Sequence, residues 1–236
     1  MDIIFGDVLL LNGVGKLSKP NKIFQTKRRK NEAAYSHVAL CLGPNIVAHA
    51  MPKQGVHIVT FESILEEFGE NWMVIRNKTL AATAKDSVVG AEYAMDALYH
   101  LGKRYDLLTI FSGKKADESF VCSNFVAACL NTHNIKVGRT ANDVLPVDFQ
   151  LCLESDEWAD VTSEHKGFYK YSCNDYAEQQ IETYYQIWNN AKSLAKLYEL
   201  ARKFDEAHKR LDKIVGYQPV ELEQPDLGFW DTDLRK

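Results

Sequence analysis

The chain has 236 residues, of which 46% are hydrophobic and 25% are charged, the usual balance of a globular protein that buries roughly 70–75% of its unfolded surface. With only 13 glycines and 6 prolines, collagen-like, low-complexity and wholly disordered chains are excluded. The formal net charge of −4 provides no broad positive field, so we expect no nucleic-acid partner.

The sequence carries no sign of export or of membrane insertion. No apolar run reaches the ~18 residues of a spanning helix, and the start, MDIIFGDVLLLNG, lacks a basic region and a cleavage site. We therefore expect no transmembrane segment and cytoplasmic synthesis without a signal peptide. The five cysteines form no Cys-x-x-Cys pair, which argues against a disulfide framework or a zinc knuckle. We expect a reducing compartment, no cofactor and no metal.

The first half of the chain alternates strand and helix patterns, which predicts an α+β fold. Between the first two strands, residues 16–30 hold seven basic residues, no acid and Pro20, a composition typical of an exposed, mobile loop. This basic loop is either simply solvated or a peripheral contact with an anionic membrane surface or substrate. The predicted strands of an antiparallel sheet lie near residues 3–11, 35–42, 46–51 and 56–60.

Helix and strand signals continue after the sheet. FESILEEF is predicted to be a short helix capped by Thr60, and WMVIR is the next strand. A helix is expected between residues 86 and 101, followed by the apolar segment LLTIF. SFVCSNFVAACL then has the apolar spacing of a helix, with Ser119 as its expected cap.

The C-terminal quarter differs in character. Beyond about Cys173, apolar residues recur at spacings of 3 and 4 without Gly or Pro until Gly216, which predicts one long helix or a helical hairpin. We expect this extension to pack, through an aromatic stripe, on the first domain or on a second subunit. The stripe consists of Tyr184, Trp188 and Tyr198. The predicted organisation is a first domain over residues 1–170, the helical extension or hairpin over 171–216 and an acidic tail over 217–236.

Cys122 is the cysteine with an identifiable activating device. It lies near the expected start of its helix, and a helix N-terminus or a neighbouring imidazole lowers the pKa of a thiol. We therefore expect the pKa of Cys122 to fall well below the free value of roughly 8.5. Cys129 lies two turns further along the same helix and is expected to stay protonated in the core. The alternative for Cys122 is that it, too, is only a small buried hydrophobe.

Two histidines on neighbouring strands could supply the imidazole. In YSHVALCL and IVAHAM, His37 and His49 occupy odd positions, and an odd-numbered turn such as 42–44 would pair Cys41 with Asn45 and His37 with His49. An even-numbered turn would place the two rings on opposite faces. The alternatives are that both are satisfied core histidines, or that they bind a metal with Cys122, although no short-spaced ligand pair supports that.

The ordered segments GDVLLL, SHVALCLG, IVAHA, GKRYD and FVCSNFV, followed by Pro146 and Asp148, resemble the permuted papain-like branch of the NlpC-type cysteine hydrolases. This is the YaeF/YiiX group, which is related to lecithin:retinol acyltransferase, and the resemblance spans about residues 2–165. It implies a permuted papain-like domain in which an antiparallel sheet packs on helices and the histidine strand precedes the cysteine helix. The helical extension lies outside the resemblance.

The resemblance also implies roles for individual residues. Cys122 is similar to the family nucleophile, His37 to the general base and His49 to the third polar residue that orients the base. Gly6-Asp7 and Tyr105-Asp106 are structural or pocket-lining matches. We expect Tyr105 to contact substrate, together with Tyr35, which shares a strand face with His37. The expected chemistry is attack of the thiolate on an acyl carbonyl to give a thioester.

Three functions are consistent with this sequence. The leading one is a peptidoglycan peptide amidase or endopeptidase, which without a signal peptide would need a dedicated delivery system, as a toxin or effector does. The second is a lipid-directed hydrolase or acyltransferase that uses the basic loop at an anionic membrane. The third is a non-enzymatic binding module on the same fold. The expected partner is a peptide or acyl substrate, with a cognate inhibitor protein as a further candidate.

Overall fold

The structure is a computed structural model that describes residues 5–13, 18–69, 71–84, 87–106, 119–138, 140, 143–169 and 174–215. The strands are β1 (Val8–Leu11), β2 (His37–Gly43), β3 (Ile46–Met51), β4 (Gly55–Thr60), β5 (Trp72–Asn77), β6 (Arg104–Tyr105), β7 (Ser119–Phe120) and β8 (Trp158–Asp160). The helices are α1 (Ser18–Arg29), α2 (Phe61–Phe68), α3 (Lys78–Ala84), α4 (Ser87–Tyr99), α5 (Cys122–Thr132), α6 (Pro146–Leu151), α7 (Thr162–Tyr169) and α8 (Asn174–Val215).

Six of the described strands form one antiparallel sheet in the order β4-β3-β2-β1-β5-β8, while β6 and β7 form a short parallel pair. The two faces of the sheet carry different core clusters because successive strand residues point to opposite sides. Even-numbered residues of β1 and β2 pack with α5, and the odd-numbered residues pack with α2. The sheet is therefore covered on both faces, and the predicted α+β class with an antiparallel sheet is confirmed.

Helix α2 forms where the apolar spacing predicts it. Phe61, Ile64 and Phe68 are buried on one side of the helix, and the Thr60 hydroxyl accepts a hydrogen bond from the Ser63 N–H at 3.2 Å. This bond satisfies one of the N–H groups that the first helical turn leaves free. The predicted cap is therefore confirmed.

The basic segment is a helix, α1, and the expectation of a mobile loop over residues 18–29 is wrong. Pro20 lies in the first turn, where no backbone N–H is needed for the helical ladder. Gln25 is fully buried, and its amide donates to the Tyr35 carbonyl while its oxygen accepts from the Val147 N–H. Arg29 is ion-paired with Asp148. These tertiary contacts order the segment.

The C-terminal extension contains one uninterrupted helix, α8, rather than a hairpin. Its part up to Trp188 belongs to the first compact unit of the chain, residues 1–188. There Tyr184 and Trp188 pack against the core, and the Ile58 N–H donates a hydrogen bond to the Tyr185 hydroxyl oxygen at 3.2 Å. Tyr198, in the second unit, is 67% exposed. LLTIF and the acidic tail lie outside the described residues.

Candidate active site

Helix α5 begins at Cys122, as the sequence predicts, but its N-cap is Val121 and not Ser119. Val121 is extended, with φ −95° and ψ 164°, and no side chain caps the first turn. Phe125 and Val126 anchor the helix in the core with no exposed surface. The first N–H groups of α5 therefore stay available near the thiol, since no side-chain cap occupies them.

The Cys122 thiol is 4% exposed and lies among backbone N–H groups. Those of Val38, Ser123 and Cys122 itself hydrogen-bond to the sulfur and favour its charged form. Burial is the larger effect and raises the pKa of Cys122 to about 11. The expected fall below the free value is wrong, because the sequence indicates the helix start and not the depth of the surrounding core. The thiol is neutral at rest.

The other described cysteines lack this arrangement. Burial raises the pKa of the Cys129 thiol, as expected two turns beyond the start of α5, and burial also raises the pKa of Cys41. Burial also raises the pKa of Cys152 to about 12. Cys173 lies outside the described residues. Among the four cysteines that the structure describes, Cys122 is therefore the one whose sulfur lies near the backbone N–H groups of three residues.

His37 and His49 point to the same side of the sheet because of a bulge in β2, and not because of the length of the turn. The turn residues are Pro44 and Asn45, between the paired residues Gly43 and Ile46, and such a two-residue turn would separate the rings. A bulge between Cys41 and Gly43 adds one residue and restores the parity, so that Cys41 pairs with Val47. The expected pairing of Cys41 with Asn45 is wrong, and the two histidines are diagonal neighbours rather than directly opposed.

The histidines form a chain of hydrogen bonds across three strands. His37 Nε2 lies 3.1 Å from His49 Nδ1, and His49 Nε2 lies 3.0 Å from Nε2 of a third ring, His57. His57 Nδ1 lies 3.1 Å from the Gly55 carbonyl oxygen. The ring of Phe68 stacks on His37 with centroids 4.8 Å apart, and it shields the His37–His49 bond from water.

Burial keeps the inner part of this chain uncharged. It lowers the pKa of His37 to about 3, with a smaller contribution from the charge of His57. It also lowers the pKa of His49 well below the ordinary value, and the neighbouring rings add to the effect. At neutral pH both rings are therefore neutral imidazoles, which can accept a proton at one nitrogen and donate one from the other.

The thiol and the first histidine approach the same end of β2 from its two sides. Cys122 belongs to the core cluster on the α5 side, whereas His37 stacks on Phe68 on the α2 side. The N–H that reaches the sulfur belongs to Val38, the residue directly after His37. Catalytic pairing of Cys122 with His37 and His49 stays a prediction.

The two tyrosines predicted to contact substrate differ in their surroundings. Burial raises the pKa of Tyr105, and Cys122 in its ionised form would raise it further, which places this phenol close to the thiol. Tyr35 packs against the same core cluster, and the charge that raises the pKa of its phenol, after burial, is that of Asp160. Binding of substrate by either residue stays a prediction.

Polar residues of α1 hold the segment that leads into β2, and the sequence analysis did not identify them. Asn21 donates to the Ser36 carbonyl at 2.7 Å, and Gln25 donates to the Tyr35 carbonyl at 3.2 Å. The Ser36 hydroxyl oxygen accepts from the Gly13 N–H at 3.0 Å. These bonds fix the backbone immediately before His37, and hence the start of the histidine chain.

His57 was also missed as a site residue. The signal was present, because His49 and His57 lie at equal distances from the turn that joins β3 to β4, and they pair directly in the sheet. Predicting His57 as a neighbour of His49 requires the register of the β3–β4 hairpin, which the structure provides.

Two of the resembling motifs have structural roles. Asp7 is buried and accepts both guanidinium bonds of Arg76, each at 2.7 Å, together with one from His165 Nε2 at 2.8 Å. Asp148 accepts from the Leu145 N–H at 2.8 Å and is held by Arg29. These networks tie the segment before β1 to β5 and α7, and they tie α1 to the start of α6.

An antiparallel sheet whose histidine strands precede a helix that begins at a cysteine defines a papain-like hydrolase in circularly permuted order. Residues 5–150 match the model of the permuted papain-like amidase enzymes, YaeF/YiiX, the C92 family. The chain belongs to this family and is a cysteine hydrolase of the amidase type.

A solved structure, described as the metalloprotein yiiX from Escherichia coli O157:H7, is similar to this chain with a TM-score of 0.50. The sequence identity is 16%, and the match covers 67% of this chain and 96% of that one. At this identity the likeness shows the fold alone. The sequence matches none of the curated proteins with which it was compared.

The described residues do not fit a metal site. Among them no group of three or more His, Cys, Asp or Glu side chains could hold a metal ion. His49 uses its two ring nitrogens for two different neighbours, so the three histidines form a line and do not converge on one point.

In the described parts of the chain, no helix is long and apolar enough to cross a membrane.

Proposed function

We propose that the protein hydrolyses an amide bond by nucleophilic attack of Cys122, with His37 as the general base and His49 as the residue that orients it. One observation carries the proposal: the Cys122 sulfur lies at the N-terminus of α5 within reach of three backbone N–H groups, one of them from the residue after His37. Such donors stabilise both a thiolate and the oxyanion that forms next to it.

The reaction starts from a neutral pair. Since the pKa of Cys122 is about 11 and that of His37 about 3, the thiol keeps its proton until substrate arrives. Nδ1 of His37 takes that proton as the sulfur bonds to the carbonyl carbon, so that no ion pair forms in advance. The negative charge passes to the carbonyl oxygen, which the backbone N–H of Cys122 stabilises.

The tetrahedral intermediate then breaks its C–N bond. Nδ1–H of His37 gives its proton to the leaving nitrogen, an amine departs and the acyl group stays on the sulfur as a thioester. In the second half, Nδ1 of His37 takes a proton from water as the water oxygen bonds to the same carbon. The C–S bond breaks, the proton returns to the sulfur and a carboxylic acid is released.

The substrate class that we propose is a peptide amide of the bacterial cell wall, by likeness to the wider NlpC-type superfamily. With this substrate the protein would act as a delivered toxin or effector, for which a cognate inhibitor protein is a candidate partner. The lipid-directed alternative rests on the acyltransferase relatives, on the histidine at the third position and on the basic segment, of which Arg28 and Arg29 are engaged by Asp143 and Asp148. The match to the amidase family favours the amide.

The test compares wild type with Cys122→Ala on muropeptides from digested peptidoglycan and on vesicles of phosphatidylglycerol and phosphatidylcholine. Cys129→Ala is the matched control, because it removes a buried thiol from the same helix. We expect new muropeptide fragments, identified by mass, from wild type and Cys129→Ala but not from Cys122→Ala. Lysolipid or transacylated lipid would replace the proposed substrate with a lipid, and products that persist in Cys122→Ala would contradict the mechanism.

A further inference from the structure

We propose that His57 is a positioning residue of this site: anchored on the Gly55 carbonyl, it sets the tautomer of His49 and thereby leaves the lone pair of His37 on Nδ1. The inference rests on the proposed function for its catalytic meaning, although the tautomers can be observed independently of any substrate.

The anchor of the chain is fixed by the backbone. Gly55 has φ +71°, and a Cβ at this position would come within 2.2 Å of the Lys103 carbonyl oxygen. The Val56 N–H donates to that same oxygen at 2.9 Å, and the Gly102 N–H donates to the Val56 carbonyl at 2.9 Å. The start of β4 is therefore held against residues 102–103, and the Gly55 carbonyl is held with it.

The direction of the hydrogen bonds follows from that carbonyl, which can only accept. Nδ1 of His57 must donate to it, so Nε2 of a neutral His57 carries a lone pair. Nε2–H of His49 then donates to His57, and Nδ1 of His49 is left to accept from Nε2–H of His37. Nδ1 of His37 consequently carries the lone pair that the proposed general base needs.

The same chain can move the proton taken from the thiol. When Nδ1 of His37 gains a proton, Nε2 of His37 can pass its own proton to Nδ1 of His49, and Nε2 of His49 can pass one to Nε2 of His57. The two buried rings then stay neutral, and the positive charge rests on His57, which is half-buried where His37 and His49 are buried. Reversal of these shifts restores the chain when Nδ1–H of His37 protonates the leaving amine.

The test uses the full chain with ¹⁵N-labelled histidine, in wild type, His57→Gln and His57→Leu. Long-range ¹H–¹⁵N correlation spectra report which ring nitrogen carries the proton. In wild type at pH 7.5 we expect Nε2–H on His37 and His49 and Nδ1–H on His57. The glutamine oxygen can accept from His49 and should preserve the first two tautomers, whereas leucine cannot and should produce a mixture.

Turnover of the muropeptide mixture provides the second readout. We expect His57→Leu to lower kcat at least tenfold with KM nearly unchanged, and His57→Gln to lose clearly less. Nδ1–H on His37 in wild type, or unchanged tautomers and kcat in His57→Leu, would overturn the inference. If wild type shows no Cys122-dependent turnover, the proposed function fails, while the spectra still decide the tautomers. If His57→Leu does not fold, the wild-type and His57→Gln spectra decide the tautomers.

Discussion

The neutral thiol predicts an unusual pH dependence for the alkylation of Cys122. Only a thiolate reacts with iodoacetamide at an appreciable rate. With a pKa of about 11, the thiolate fraction of Cys122 at pH 7 is about 10⁻⁴, against about 3% for a free thiol of pKa ~8.5. Cys122 should therefore react roughly 300-fold more slowly than free cysteine at pH 7, and about tenfold faster for each added pH unit up to about pH 11.

The assay follows alkylation of the native protein between pH 5 and 10 by peptide mapping and mass spectrometry. Cys41 and Cys129 serve as internal controls, since burial raises the pKa of both and neither lies at a helix start. Cys122 should be labelled ahead of them at every pH. A fast rate that is constant between about pH 5 and 8 would show a preformed thiolate–imidazolium pair and would refute the neutral starting state.

Substitution, truncation and a change of pH test the buried charges and the packing of the domain. Asp7→Asn should lower the free energy of unfolding in urea by roughly 3 kcal/mol, because Arg76 loses its buried carboxylate partner and keeps only the more exposed Glu164; an unchanged midpoint would contradict this. A chain that ends at Cys173 should aggregate in light scattering, because it lacks Trp188 and its neighbours on the core, and a monomer of unchanged melting temperature would contradict that. The pKa of His37 is about 3 in the folded protein and about 6.5 in the unfolded chain. The free energy of unfolding should therefore fall as pH drops from about 6.5 towards 3, by up to about 5 kcal/mol. In His37→Gln this fall should be smaller, and an equal fall would contradict the assignment.

Much of the fold was predictable because local patterns and tertiary packing agree. Apolar runs separated by turn residues marked β2, β3 and β4, and the Thr60 cap marked the start of α2. The start of α5 near Cys122 also followed from apolar spacing. These features depend on neighbours along the chain, which a single sequence reveals directly.

The rest depends on contacts between distant segments. Helix α1 is ordered by Gln25 and Arg29, which bind Val147 and Asp148, more than 100 residues away along the chain. The bulge between Cys41 and Gly43 reversed the parity that the turn would impose. The raised pKa of Cys122 reflects burial by the assembled core, which outweighs the helix start that the sequence displays.

In the proposed mechanism Cys122 carries the acyl group as a thioester, and direct capture of that thioester is the most direct test. Wild type, Cys129→Ala and Cys122→Ala are mixed with muropeptides, quenched in acid within milliseconds to seconds and weighed as intact proteins, and the adduct is mapped by peptide mass. We predict an adduct on Cys122 in the first two proteins, which neutral hydroxylamine releases, and none in Cys122→Ala. An adduct on another residue, or equal hydrolysis by Cys122→Ala, would contradict the account.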